Sequence, residues 1–154
     1  MPITLDDGRR AIAANLRLVL PADEGHVSPY YQETPALPTL QVLGVSDYEF
    51  ADIGGGVRYE LGIEGVLGRL VDRASQRRLD EWIHGGGLLY ALDSSVNPLT
   101  SRLQDDGSLD EGEDDAGQCA YLRFGGQARL KRGSADLLIA SWFCEWYPPP
   151  EVFT

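Results

Sequence analysis

Asp80 and His84 stand four residues apart in QRRLDEWIHGGGLLYAL (76–92). On a helix that spacing puts a carboxylate and an imidazole on one face. Such a pair can start a metal site, but a zincin motif, HExxH, carries a second histidine and a base. The other histidine here is His26, in a different segment, and no CxxC occurs. His84 is better explained by a helix C-terminus, where the negative end of the dipole favours it. The glycines at 85–87 would cradle a phosphate only if a strand preceded them and a helix opened after them. Here a helix is expected before them, and no P-loop lysine follows. Gly54, Gly55 and Gly56 fail too, since a strand follows. The stretch DDGSLDEGEDD (105–115) holds seven acids, Asp105, Asp106, Asp110, Glu111, Glu113, Asp114 and Asp115. Their spacing does not fit a calcium-binding EF-hand loop. No GxSxG is present, and Cys119 and Cys144 lie in apolar, strand-like sequence. They read as buried free thiols, with a disulfide across neighbouring strands as the alternative. The expected metal, cofactor and catalytic complement is none.

Those residues sit in a chain of 154 residues, long enough for one domain spanning 1–154. Apolar residues make up 43%, which suits a globular core rather than a disordered chain. The start, MPITLDDGRR, lacks a basic stretch followed by an apolar one and does not read as a signal peptide. Net charge is −11, with a single lysine, Lys131, among the bases. Tight nucleic-acid binding needs clustered positive charge to release phosphate counterions, so this balance argues against it. It is compatible with a surface that lies close to DNA and repels it.

Periodicity gives the elements. TLDDGRRAIAANLRLVL (4–20) is an amphipathic helix with Leu5, Ile12, Leu16, Val19 and Leu20 inward. Thr4 and Asp7 form a capping box, and Pro21 ends the element. Residues 21–39 are a proline-rich loop carrying Tyr30 and Tyr31; long loops of this kind often serve as contact surfaces. Strands are expected at 39–50 and 56–65. In the second, Val57, Tyr59, Leu61 and Ile63 face one way, Arg58, Glu60 and Glu64 the other. Residues 71–83 form a helix with Asp72 as cap, an inward stripe of Ala74/Ser75, Leu79, Trp82 and Ile83, and Arg73, Arg77, Asp80 and Glu81 outward. Gly85 suits the left-handed position past its end. The pattern predicts a short helix over 88–93. Residues 97–117 form a long acidic loop, kept extended by like charge. Strands at 119–124 and 127–132 flank Gly125 and Gly126. The nearly continuous apolar run at 134–147 predicts a strand buried on both faces. Residues 148–154 are a short tail. The order helix-strand-strand-helix-strand-strand predicts an α+β layer: a largely antiparallel sheet of four to five strands packed with two main helices.

This order, taken with AIAANLRLVL, PYYQETPALPTLQV, the hairpin, QRRLDEWIHGGGLLYAL and the NPLT-containing loop, resembles the tail terminator proteins of long-tailed, non-contractile bacteriophages, especially those of actinobacterial hosts. The resemblance covers roughly 5–147, and Gln76–Leu92 is its most telling part. It implies a non-enzymatic minor tail protein of the virion, assembled in the host cytoplasm. Such proteins form hexameric rings that cap the tail tube, end its polymerisation and meet the head connector, while DNA passes through the lumen. Six copies of this chain carry about −66 formal charges, which would let DNA slide without sticking. A closed ring needs one face to complement a different face on the next subunit. Arg73, Arg77, Arg78, Asp80, Glu81, Tyr30 and Tyr31 are the expected subunit or tube contacts, and the acids of 105–115 the lumen or a mobile loop. The expected partners are other copies of the chain, the tube protein and the connector, with no membrane. The alternatives are a head–tail connector completion protein and, in a different class, a small ligand-binding or enzymatic α+β domain.

Overall fold

Thr4 and Asp7 open the first helix as the sequence demands. In the computed structural model, which describes residues 3–33, 36–50, 57–84, 87–111, 116–132 and 135–149, the Asp7 amide donates to Thr4 Oγ1 at 3.1 Å and the Thr4 amide to Asp7 Oδ2 at 2.9 Å. This reciprocal cap satisfies two amides that would otherwise lack intrahelical partners. The helix, α1, covers Leu5–Leu16 and not the whole of 4–20. Residues 17–20 continue as tighter turns, with Leu18 and Val19 amides bonding three residues back. Proline at 21 disfavours helical backbone just before it, which accounts for the early end. Ile12, Leu16 and Leu20 are fully buried, as their spacing predicts.

The segment expected to be loop contains a strand. β1 (His26–Ser28) runs parallel to the start of β2 (Thr39–Phe50). Three residues are too few to show a period; Val27, 2% exposed, is held there by the core. β2 pairs antiparallel with β3 (Val57–Arg69), and the alternation is as read: Leu61 and Ile63 point into the core, Arg58, Glu60 and Glu64 away from it. The glycine turn at 54–56 lies outside the described residues.

Next comes α2 (Arg73–Ile83), then α3 (Leu88–Ala91). Asp72 occupies the cap position of α2, but its side chain makes no capping bond. Only Ser75, Leu79 and Trp82 are buried; Ala74 is exposed and Ile83 is 43% exposed. Positions 75, 79 and 82 form a single line down the helix, while 74 and 83 are each rotated about 100° from a buried neighbour. The sheet therefore receives a narrower stripe than the apolar pattern suggests. Gly85 lies outside the described residues.

Part of the segment expected as an acidic loop forms strands. β4 (Ser101–Leu103) and β5 (Leu109–Glu111) form a small antiparallel hairpin of their own. Its turn uses Asp106, whose carboxylate accepts from the Ser108 amide, and Gly107 at φ +87. Asp-Gly turn chemistry thus prevails over charge repulsion at this end. Glu113, Asp114 and Asp115 lie outside the described residues.

The last pair, β6 (Gln118–Arg132) and β7 (Ala135–Tyr147), completes a five-stranded sheet of order β1-β2-β3-β7-β6. The fold is α+β, with a mixed sheet and, among the described residues, three helices. Two expectations are corrected here. Residues 119–124 and 127–132 belong to one bulged strand, because Gly126 at φ +108 absorbs an irregularity and does not reverse the chain. And β7 is not buried on both faces. Its residues 138, 140, 142, 144 and 146 are buried, whereas 139, 141, 143 and 145 are half-buried. The helices cover one face of the sheet, and the outward apolar side chains are shaded instead by their neighbours, as where the Arg123 guanidinium lies 4.4 Å over the Phe143 ring.

Candidate functional site

Asp80 and His84 are both exposed at the C-terminal end of α2. Among the described residues no group of three or more His, Cys, Asp or Glu is placed to hold a metal ion. Cys119 and Cys144 are buried, free and in contact; that contact, with burial, pushes the Cys119 thiol well up.

Of the surface residues singled out by sequence, α2 carries five. Arg73, Arg77, Asp80 and Glu81 are exposed, and Arg78 is half-buried. Arg78 lines a shallow cleft of about 380 Å³ with Leu37, Pro38, Gly68 and Asp72. Tyr30, Tyr31 and Asp105 are brought together elsewhere, at a second cleft of about 320 Å³ that also includes His26, Gln32 and Gln104. Tyr31 stands 61% exposed at its rim.

Arg10, which the sequence did not single out, organises that second region. Its guanidinium bonds Asp6 at 2.9 Å, Asp105 at 3.0 Å and the Leu103 carbonyl at 3.0 Å, and lies 5.3 Å from the Tyr30 ring centre. Tyr30 donates its hydroxyl to the Asp6 carboxylate. One α1 side chain therefore ties together the tyrosine loop and the acidic hairpin. The hairpin's first acid, Asp105, is one of Arg10's ion-pair partners. Burial alone would raise the Asp6 carboxyl, but the bonds from Tyr30 and Arg10 outweigh it and hold the group below its ordinary 3.8. A carboxylate with a depressed folded-state value adds stability above the unfolded value, lost as pH falls through the depressed one. Asp6→Asn is expected to flatten the fall in stability between about pH 5 and pH 2, read from urea midpoints. A variant whose pH profile merely parallels the parent's would show that Asp6 is not coupled to folding.

The sheet face turned away from the helices is the other charged region. Arg58 sits at its centre, bonded to Glu145 at 2.8 Å, Glu49 at 3.2 Å and Asp47 at 3.5 Å. Burial would lower the Arg58 value, but these carboxylates raise it. Arg123 pairs with Glu60 at 3.2 Å, and Gln41 donates to Glu64 at 3.0 Å. Tyr147 donates to Glu145 at 2.5 Å, which pushes the phenol up to about 12. Five carboxylates thus share this surface with two arginines. The polar alternation of 57–64 was the available sequence signal for it. What was not visible is that β2, β6 and β7 add their own outward charges in register with those of β3.

A mixed α+β sheet with one face under helices and one acid-rich face open defines a class of fold. No family model and no curated protein matches this sequence.

Proposed function

We propose that the chain is a ring-forming tail protein of a long-tailed bacteriophage, a tail terminator that caps the tail tube and joins it to the head connector. The observation that carries this reading is the open sheet face, where Asp47, Glu49, Glu60, Glu64 and Glu145 outnumber Arg58 and Arg123. Passing DNA gains no counterion release at such a surface and is not retained there. The acids of the hairpin are the second candidate for the lumen, with Asp105 paired to Arg10. The arginine side of α2 and the tyrosine loop are separate exposed regions, available for the tube, the connector or another subunit. Arginine and tyrosine are enriched in such contacts. No described helix is long and apolar enough to cross a membrane.

Electron microscopy of the purified protein, with mass measured in solution, tests the ring. Six-membered rings are expected, at about six times the 16.9 kDa chain mass. Deleting the gene should yield overlong or unjoined tails. Normal virions from the deletion would overturn the reading.

A further inference from the structure

The segment RLVDRASQRR (69–78) runs against the charge of the chain. It holds four arginines, Arg69, Arg73, Arg77 and Arg78, and one acid, Asp72, a net +3 in a chain of −11. Among the described residues none of these four forms an ion pair, whereas Arg10, Arg58, Arg102, Arg123 and Arg129 all do. Arg69 and Arg78 both line the cleft of about 380 Å³ at the start of α2. Ser75 lines it too. That serine is 6% exposed, and its hydroxyl has no hydrogen-bond partner among the described residues. Buried hydroxyls normally have a partner, in the chain or in what the chain binds. Gly68 leaves the space beside that hydroxyl clear. A Cβ at position 68 would lie 2.6 Å from Ser75 Oγ.

The start of α2 adds to this. The first-turn amides of Arg73 and Ala74 donate to no described group, and Asp72 makes no capping bond. A helix start with free amides favours an anion. We propose that this cleft binds a phosphomonoester, its phosphate held by Arg69, Arg78 and the Ser75 hydroxyl and its carbon skeleton set against Leu37 and Pro38. The donors decide the class of anion. Two guanidinium forks and a hydroxyl offer more bonds than the two oxygens of a carboxylate accept. A phosphomonoester brings three acceptor oxygens and a charge of about −1.5 to −2. Its size separates it from DNA. Salt screens charges beyond about 10 Å, so a small ligand meets the local arginines, while a duplex also lies against the acids around them. The site is independent of the ring reading.

Calorimetric titration with glycerol phosphate tests it, with acetate and a short DNA duplex as comparison probes. Saturable binding at one site is expected, with a Kd of about 1 mM or tighter. Ser75→Ala should weaken it about tenfold, the usual worth of a hydrogen bond to a charged group. It removes a hydroxyl that bonds nothing described, so the urea midpoint should hold. Arg69→Gln with Arg78→Gln should weaken binding about a hundredfold or more. Arg123→Gln, on the open sheet face, should change nothing. In nuclear magnetic resonance the amides of Arg73, Ala74 and Ser75 should shift along the same binding curve. Binding that survives both cleft variants, or no saturation at all, overturns the site. Acetate bound as tightly overturns the phosphate assignment, and DNA bound in preference to glycerol phosphate overturns the small ligand.

Discussion

Replacing Trp142 with alanine is expected to lower the unfolding free energy by about 3–5 kcal/mol, the usual cost of deleting a buried large aromatic. Trp142 is 2% exposed on the core face of β7, in register with Ile63 on one side and Phe124 on the other. It meets Trp82 of α2 edge-on at 6.2 Å and Phe124 at 5.4 Å. It therefore joins three strands and the helix that covers them, and a cavity at that point cannot be filled by moving one element. In a chain of this length the melting temperature should fall by roughly 10 °C or more. Trp142→Phe keeps the ring contacts and should lose much less. A Trp142→Ala protein that melts within a degree or two of the parent would show that the tryptophan cluster is not the centre of the core.

Gly8→Ala is expected to destabilise by about 2 kcal/mol, against the usual sign. In an exposed helix interior the same change stabilises by about 0.5–1 kcal/mol, because glycine loses more backbone freedom on folding. Here a Cβ at position 8 would lie 2.4 Å from the indole of Trp146. The indole has little room to move. It is 1% exposed, stacks on Tyr59 at 5.7 Å and donates from Nε1 to the Ala116 carbonyl at 2.8 Å. Shifting it strains that bond and threatens to leave a buried carbonyl unsatisfied. The direct control is the same change in a Trp146→Leu background. There the clash is gone and the helix preference of alanine should reappear, so the two changes should couple by about 1–2 kcal/mol. Equal Gly8→Ala effects in both backgrounds, measured by urea unfolding, would refute the contact as the cause.

Much of the framework was legible because it is written in local patterns. Thr4 and Asp7 announce the start of α1, and Val57 to Ile63 alternate as β3 does in the sheet. The errors have local causes as well. β1 is too short to carry a period. The Gly125–Gly126 pair reads as a turn, yet it serves as a bulge because β7 continues opposite it. The run at 134–147 is apolar enough for a doubly covered strand, but burial depends on whether something lies on each face, and the helices pack on only one.

The candidate surfaces were less legible. The α2 arginines, Tyr30, Tyr31 and the 105–115 acids were picked out by type; of that acid run, Asp105 pairs with Arg10 and Asp106 turns a hairpin. Arg10 was not singled out, and Arg58 only as one outward residue of the 57–64 alternation. Their organising partners include distant ones: Arg10 reaches a carbonyl 93 residues away and Arg58 a carboxylate 87 residues away. Position in the chain says nothing about such pairs until strands and helices have packed. By itself the sequence determined the α+β class, the main helices and long strands, the inward positions of α1 and β3 and the negative charge, since each depends on spacing or on counting. The tertiary structure decided which sheet face stays open and which arginines are paired. Those properties depend on which segments become neighbours in space.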